Sequence, residues 1–246
     1  MSKQMLNEQT FTAANIQRVD ASPTRTMTVG GVAGKTFILL FVTLVCAGVG
    51  WSRAETLAEG SPLLLFGGFI LLIGLTIWAA RNPRVAPFAG FAYALIMGFW
   101  VGAISKIYND TYNGIVTQAL LATVGAFTAM LVLYTTRIVK VTNRMIGIIM
   151  GATFGVMLLY VFSFVLSIFG ARPSFLTDSS GLGIALSVGI CVIAALNLLV
   201  DFSFIERGVA AGAPAIYEWY SALSLLSTMV WLYLEVLRLL GRIQGR

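Results

Sequence analysis

Apolar stretches of about twenty residues recur along most of the chain and are separated by short polar segments. A helix of about twenty apolar residues can cross a hydrocarbon core of roughly 30 Å. No polar face repeats within these stretches, which argues against the amphipathic helices of a water-soluble domain. The pattern predicts an all-α integral membrane protein in which residues 35–246 form a seven-transmembrane-helix bundle. The predicted spans are residues 35–52, 62–80, 85–105, 114–136, 145–169, 181–203 and 219–240.

Residues 1–34 are mixed in character and contain no apolar core. We predict that they form a short disordered cytoplasmic tail, because a cleavable signal peptide needs an apolar stretch near its start. The motif GGVAGKT at residues 30–36 resembles a phosphate-binding loop, but Gly30 and Gly34 are one residue too close for the G-x-x-x-x-G-K-T spacing. Lys35 is better interpreted as the charged anchor of the first span.

Small residues at helical spacing occur in two of the predicted spans. Gly98 and Gly102 are four residues apart, and so are Gly147, Gly151 and Gly155. Small residues one turn apart let helix backbones approach closely in a membrane. Both sets are therefore expected at helix–helix contacts.

The charged residues are few and lie mainly beside the spans. Hydrophobic residues make up 58% of the chain and charged residues 11%, with a net charge of +6. Such flanking lysines and arginines set membrane orientation and contact anionic lipid, so the lipid bilayer is an expected partner and nucleic acid is not. Counting them loop by loop predicts a multi-pass protein of the cell membrane (plasma or inner) with a cytoplasmic N-terminus.

Charge counting and segment length give different predictions for the last span. If this span crosses fully, Arg238, Arg242 and Arg246 lie outside, against the charge rule. A re-entrant final segment would bring them inside. The length of the segment favours a full crossing.

The residue inventory excludes several kinds of chemistry. Histidine is absent, which removes imidazole metal sites and Ser-His or Cys-His catalytic pairs. Cys46 and Cys191 each lie inside an apolar run, which is typical of packing residues. We expect no enzymatic activity and no cofactor.

The stretch NLLVDFSFIERG, residues 197–208, contains the main candidate for chemistry. Asp201 ends a long apolar run, where an acid is costly unless it reaches headgroup water or has a partner. One interpretation is an interfacial acid that stops the helix. Another is a partly buried pair with Arg81, which closes the second span on the same side. Asn197 lies one turn before Asp201, and oxygens on one face suit hard cations such as Ca²⁺, with Asp201 as the candidate metal ligand.

The last span contains a stripe of polar residues. Ser221, Ser224, Thr228 and Glu235 follow helical spacing and share one face, which Arg238 continues. The stripe is either a hydrogen-bonding seam between helices or the wall of an ion path that includes Asn197, Ser224 and Glu235. Glu235 is also placed to pair with Arg238.

Several motifs in order resemble the transmembrane Bax inhibitor motif family, in its bacterial branch. The resemblance covers essentially all seven spans. Its segments are GFWVG at residues 98–102, Ala119 with Thr123, VDFSFIERG at 200–208, ALSLL at 222–226 and LEVLRLLG at 234–241.

The resemblance implies a pH-sensitive passive leak for calcium or other cations. In that family, two aspartates on the sixth and seventh spans are thought to share a proton, beside an arginine latch. Asp201 matches the first aspartate, Thr228 stands at the place of the second, and Arg81 matches the arginine. Burial and a neighbouring arginine shift a carboxyl pKa in opposite directions, so the pH of switching is left open.

A second hypothesis assigns a different class of function. Some bacterial relatives are thought to restrain a membrane protease or a stress-response partner. This alternative is an interaction protein that binds another membrane protein through its tail and its small-residue helix faces. It does not require Asp201.

Overall fold

The computed structural model describes residues 25–54, 62–168 and 180–245 and is all-helical over those ranges. Within these ranges seven α-helices follow one another, with a short 3₁₀ helix, η1 (Pro83–Val85), between the second and third. The helices are α1 (Val29–Ser52), α2 (Pro62–Arg81), α3 (Ala86–Thr111), α4 (Ile115–Thr135), α5 (Asn143–Ile168), α6 (Gly181–Ala210) and α7 (Tyr217–Gln244).

Within the described ranges, six helices are long and apolar enough to cross a membrane: α1, η1 with α3, α4, α5, α6 and α7. Residues Leu71–Arg81 of α2 form a shorter apolar stretch. The predicted class, an all-helical multi-pass membrane protein, is supported. The boundaries differ from those predicted: α1 begins at Val29, inside the range assigned to the tail, and α6 continues to Ala210. Residues 1–24 of that tail lie outside the described residues.

Local sequence signals explain where the helices begin and end. The Thr28 hydroxyl caps α1 by accepting a hydrogen bond from the amide of Gly31 at 2.9 Å. Asn82 and Pro83 separate α2 from α3, because proline cannot continue the hydrogen bonding of a preceding helix. Gly114 adopts a φ of 79° between α3 and α4, a conformation that glycine reaches without steric cost.

The chain divides into two compact units, and α6 and α7 each contribute to both. Among the described residues, the first unit contains α1, α2, η1 and α3 as far as Ile107, together with Asp201–Ser227. The second contains Tyr108–Val200 and the chain from Thr228 onward. The candidate site residues are therefore distributed over two units.

In the first unit, α1 and α3 approach each other at glycines. A Cβ added to Gly98 would touch the Thr43 carbonyl oxygen, and one added to Gly102 would overlap that of Ala47. On α1, a Cβ at Gly50 would overlap the carbonyl oxygen of Phe99. The prediction of close packing at Gly98 and Gly102 is confirmed, because only glycine leaves room for this approach.

The prediction of a close helix–helix contact is wrong for the second set of glycines, on α5. Cβ atoms added to Gly147, Gly151 and Gly155 would meet nothing within 4 Å among the described residues. Spacing alone does not distinguish a glycine at a helix contact from one on an open face. Many large apolar side chains are likewise exposed, including Phe37 and Phe41 of α1, as expected for helices surrounded by lipid.

Helix α7 is continuous over 28 residues. At 1.5 Å per residue it is about 42 Å long, which exceeds a hydrocarbon core of roughly 30 Å. An unbroken helix of this length favours the full crossing over a re-entrant segment.

The α1–α3 contact predicts that alanine substitutions at Gly50 and Gly48 of α1 change stability by different amounts. Gly50→Ala should lower the free energy of unfolding by about 1–3 kcal/mol, because the added methyl group collides with the α3 backbone. Gly48→Ala is the matched control, since a Cβ there meets nothing within 4 Å, and it should leave stability unchanged or slightly higher. Thermal unfolding in detergent measures both. Equal melting temperatures for the two variants would contradict the contact.

Candidate functional site

Asp201 is buried in the first unit, with 3% of its surface exposed. Its Oδ1 accepts a hydrogen bond of 2.8 Å from the Ser224 hydroxyl of α7. A carboxylate in this position does not extend into headgroup water, so the structure favours the buried interpretation over the interfacial one. The contact links the C-terminal half of α6 to the early turns of α7.

Aromatic and hydroxyl groups surround this contact in the first unit. Tyr220 interacts electrostatically with Asp201, and its ring lies 5.8 Å from that of Phe204. Ser221 is fully buried, and its hydroxyl has no hydrogen-bond partner among the described residues. A buried hydroxyl without a partner costs about 1–3 kcal/mol, so Ser221 contributes less to stability than an apolar residue of its size would.

The predicted ion pair between Arg81 and Asp201 is not formed among the described residues. Arg81 ends α2 with an exposed side chain, whereas Asp201 is buried. Placing both residues at the same membrane face from topology did not establish contact, because it left the direction of each side chain undetermined. In place of the predicted ion pair with Arg81, Asp201 has a hydrogen bond with the Ser224 hydroxyl.

A second residue of the last helix was expected to act with Asp201. The resemblance places Thr228 in that role, which stays a prediction, and the described hydrogen bond comes from Ser224, one turn earlier on α7. Both residues lie on the predicted polar stripe, and a shift of one turn preserves the face. Neither a serine nor a threonine can share a titrating proton with Asp201.

Asn197, a candidate ion-path residue, belongs to the second unit. Its Nδ2 donates to the Thr153 hydroxyl and to the Ile193 carbonyl oxygen, each at 2.8 Å. These bonds hold the amide between α5 and its own helix. Within the described ranges, no group of three or more Cys, Asp or Glu side chains forms a metal cluster. The described residues therefore give Asp201 no cluster of acids as partners in a metal site.

Glu235, the other acid of the predicted path, forms a buried network in the second unit. Its Oε1 accepts from the Tyr160 hydroxyl at 2.7 Å and from Trp231 Nε1 at 3.1 Å. Arg238 Nη1 lies 3.0 Å from Oε2, and its guanidinium stacks over the Tyr160 ring at 5.1 Å. The predicted pairing of Glu235 with Arg238 is confirmed. A carboxylate with this many donors is suited to a structural role.

Two charged contacts were missed by sequence reasoning. Arg242 is buried and donates to the Gly183 carbonyl oxygen and the Ser187 hydroxyl, each at 2.6 Å. Lys35, interpreted as a simple anchor, forms an ion pair with Glu218 in the first turn of α7. The only sequence signals were Ser187 within an apolar run and Glu218 at a helix start, and neither identified its partner.

These features define a class of protein. The helices are long enough to cross a bilayer, their apolar faces are exposed, and a carboxylate is buried where two of them meet. This is a polytopic helical membrane protein with an ionisable group in its interior.

The comparisons with known proteins give the family. The sequence pattern of the family described as Bax inhibitor 1 like matches residues 3–245. The chain belongs to this family, which confirms the predicted resemblance, while its bacterial branch stays a prediction. The comparison with curated proteins gave no match, nor did the comparison with solved structures.

The Glu235 network predicts a graded loss of stability. Glu235→Gln should lower the free energy of unfolding by about 1–3 kcal/mol, because Arg238 and two buried donors lose a charged acceptor. Trp231→Phe removes one donor and should cost about 1 kcal/mol or less. Chemical unfolding in detergent measures both. A smaller effect for Glu235→Gln than for Trp231→Phe would contradict this account.

Proposed function

We propose that the protein is a pH-sensitive passive leak for cations, with calcium as the principal ion. Membership of the Bax inhibitor 1-like family supports the proposal. The observation that carries it is the buried Asp201 carboxylate, bonded to Ser224 of the last helix. Ionisable groups in the interior of a membrane protein commonly mark ion or proton pathways. The proposal assigns no catalysis to the chain.

The proposed gate is the Asp201–Ser224 hydrogen bond. An ionised carboxylate accepts a stronger hydrogen bond than a protonated one, so the link between α6 and α7 is tightest when Asp201 is charged. Protonation weakens that link and biases these helices toward an open state. Calcium prefers oxygen ligands, and protonation leaves Asp201 and Ser224 as uncharged oxygens that bind the ion only weakly, as a passive leak requires.

We further propose that the chain crosses the cell membrane seven times, with its N-terminus in the cytoplasm. Residues just before α1 pair with the turn before α7, through an antiparallel bridge between Thr26 and Pro214. The starts of α1 and α7 are therefore at the same membrane face, which requires an even number of crossings between them. Helices α1 to α6 supply six if α2 also crosses. With 20 residues, α2 is about 30 Å long and meets this requirement.

A second function is supported by the residue opposite Asp201. The resemblance places Thr228 where the family has its second aspartate, and neither Thr228 nor Ser224 can titrate, so these residues do not form the family's shared-proton pair with Asp201. We therefore keep the alternative of a membrane interaction protein that modulates a membrane protease or a stress-response partner. This role uses the N-terminal tail and does not depend on Asp201.

Calcium flux into proteoliposomes tests the proposed gate. Wild-type flux should rise as the pH falls, whereas Asp201→Asn should give a flux that does not change with pH. Ser224→Ala should raise the flux at neutral pH, because the charged link is lost. Arg81→Gln is the matched control and should keep the wild-type profile, since Arg81 is exposed. An Asp201→Asn variant that retains the wild-type pH profile would rule out this gate.

Removal of residues 1–24 separates the two functions. If the protein is an interaction protein, the truncated chain should lose capture of its membrane partner, measured by affinity purification from cross-linked membranes, while calcium flux persists. The full-length Asp201→Asn variant serves as the control and should retain capture. Loss of capture in Asp201→Asn alone would contradict an interaction through the tail.

A further inference from the structure

The residues before α1 lie against the turn between α6 and α7. The amide of Met27 donates to the Ala213 carbonyl oxygen at 2.7 Å. The amide of Ala215 donates to the Arg25 carbonyl oxygen at 2.9 Å. Met27 and Ala213 are both fully buried. We call the segment Arg25–Thr28 the strap. It fixes the start of α1 to the start of α7.

Glu218, in the first turn of α7, binds the strap and α1 through its carboxylate. Its Oε1 accepts hydrogen bonds from the Thr28 amide at 2.8 Å and from the Thr28 hydroxyl at 3.0 Å. Its Oε2 forms an ion pair with Lys35, two turns into α1. Glu218 is buried, so these partners replace solvent around its charge. Thr28 and Lys35 are the groups that face the carboxylate from the strap and from α1.

Lys35 of the motif GGVAGKT, together with Thr28 just before the motif, therefore binds a carboxylate of the same chain. A Cβ at Gly31 would overlap the Glu218 carboxyl group, so glycine is required where the acid lies against α1. The Lys35 ammonium also lies 5.5 Å from the centre of the Trp219 ring. The resemblance to a phosphate-binding loop reflects shared physics, because amide groups at a helix start and a lysine both attract an anion.

The strap is connected to the Asp201–Ser224 contact through the first turns of α7. Glu218 and Ser224 lie on the same helix, six residues or about 9 Å apart along its axis. Between them, Tyr220 packs against Phe204, three residues after Asp201. Because a helix is stiff over two turns, the position of Glu218 sets the position of Ser224.

We propose that the Lys35–Glu218 pair is a regulatory fastening: it holds α7 in the position at which Ser224 reaches Asp201, and its release loosens that contact. The effect on ion flux rests on the proposed function, but the fastening itself does not. Neutralising either charge should detach the strap and expose the polar face of α7 that carries Ser221 and Ser224.

Hydrogen exchange of the full-length protein in lipid nanodiscs tests the fastening. Glu218→Gln and Lys35→Met should each accelerate exchange at the Met27, Thr28 and Ala215 amides by about tenfold, the size expected for one charge-assisted hydrogen bond. Asp110→Asn makes the same chemical change in the other unit and should leave these rates unaltered. Wild-type exchange rates in both strap variants would overturn the proposal.

A thiol at position 221 tests the coupling to α7. Ser221→Cys, with Cys46 and Cys191 replaced by alanine, places a buried reporter on the polar face without removing Ser224. Labelling by a water-soluble maleimide should accelerate about tenfold when Glu218→Gln or Gly31→Ala is added. Gly31→Ala displaces the carboxylate by steric overlap and leaves all charges in place. Unchanged labelling alongside faster strap exchange would overturn the coupling.

These readouts are independent of ion transport. If Asp201→Asn retains the wild-type flux profile, the proposed gate fails, yet the strap amides still report on the fastening. If the strap amides exchange normally in Glu218→Gln, the fastening fails whatever the flux. The two proposals can therefore be refuted separately.

Discussion

The burial of one carboxylate is the constraint on which the functional interpretation depends. Removing a charge from water is expensive, and the cost falls only when hydrogen bonds and nearby dipoles compensate. Asp201 gains part of this compensation from Ser224, so the C-terminal half of α6 and the early turns of α7 depend on one another. In the proposed gate, the contact that supports this part of the structure is also the one that protonation of Asp201 weakens.

Much of the fold could be predicted from hydrophobicity, because each span must be apolar along about twenty residues whatever its neighbours are. Asp201 was identified as a candidate for the same reason, since an acid beside a long apolar run is conspicuous. The Glu235–Arg238 pair was also predictable, as its members are three residues apart on one helix. Each of these signals lies within one short segment of the chain, so the sequence of that segment is enough to predict the feature.

The contacts that sequence reasoning missed are all distant along the chain. Lys35 and Glu218 are separated by 183 positions, and Arg242 contacts residues more than fifty positions away. Helix rotation decides which residue of the polar stripe faces Asp201, and a one-turn difference separates Ser224 from Thr228. Arg81 shows the same limit, because a shared membrane face says nothing about where a side chain points.

The glycine contacts between α1 and α3 have a consequence for motion in the first unit. Gly50, Gly98 and Gly102 bring backbone atoms together without intervening side chains, so these helices cannot slide or rotate past each other without collision. The polar contacts of Asp201 and Glu218, in contrast, can break and re-form. In the proposed gate, the glycine-packed pair is the fixed frame, and the first turns of α7 are the part that moves.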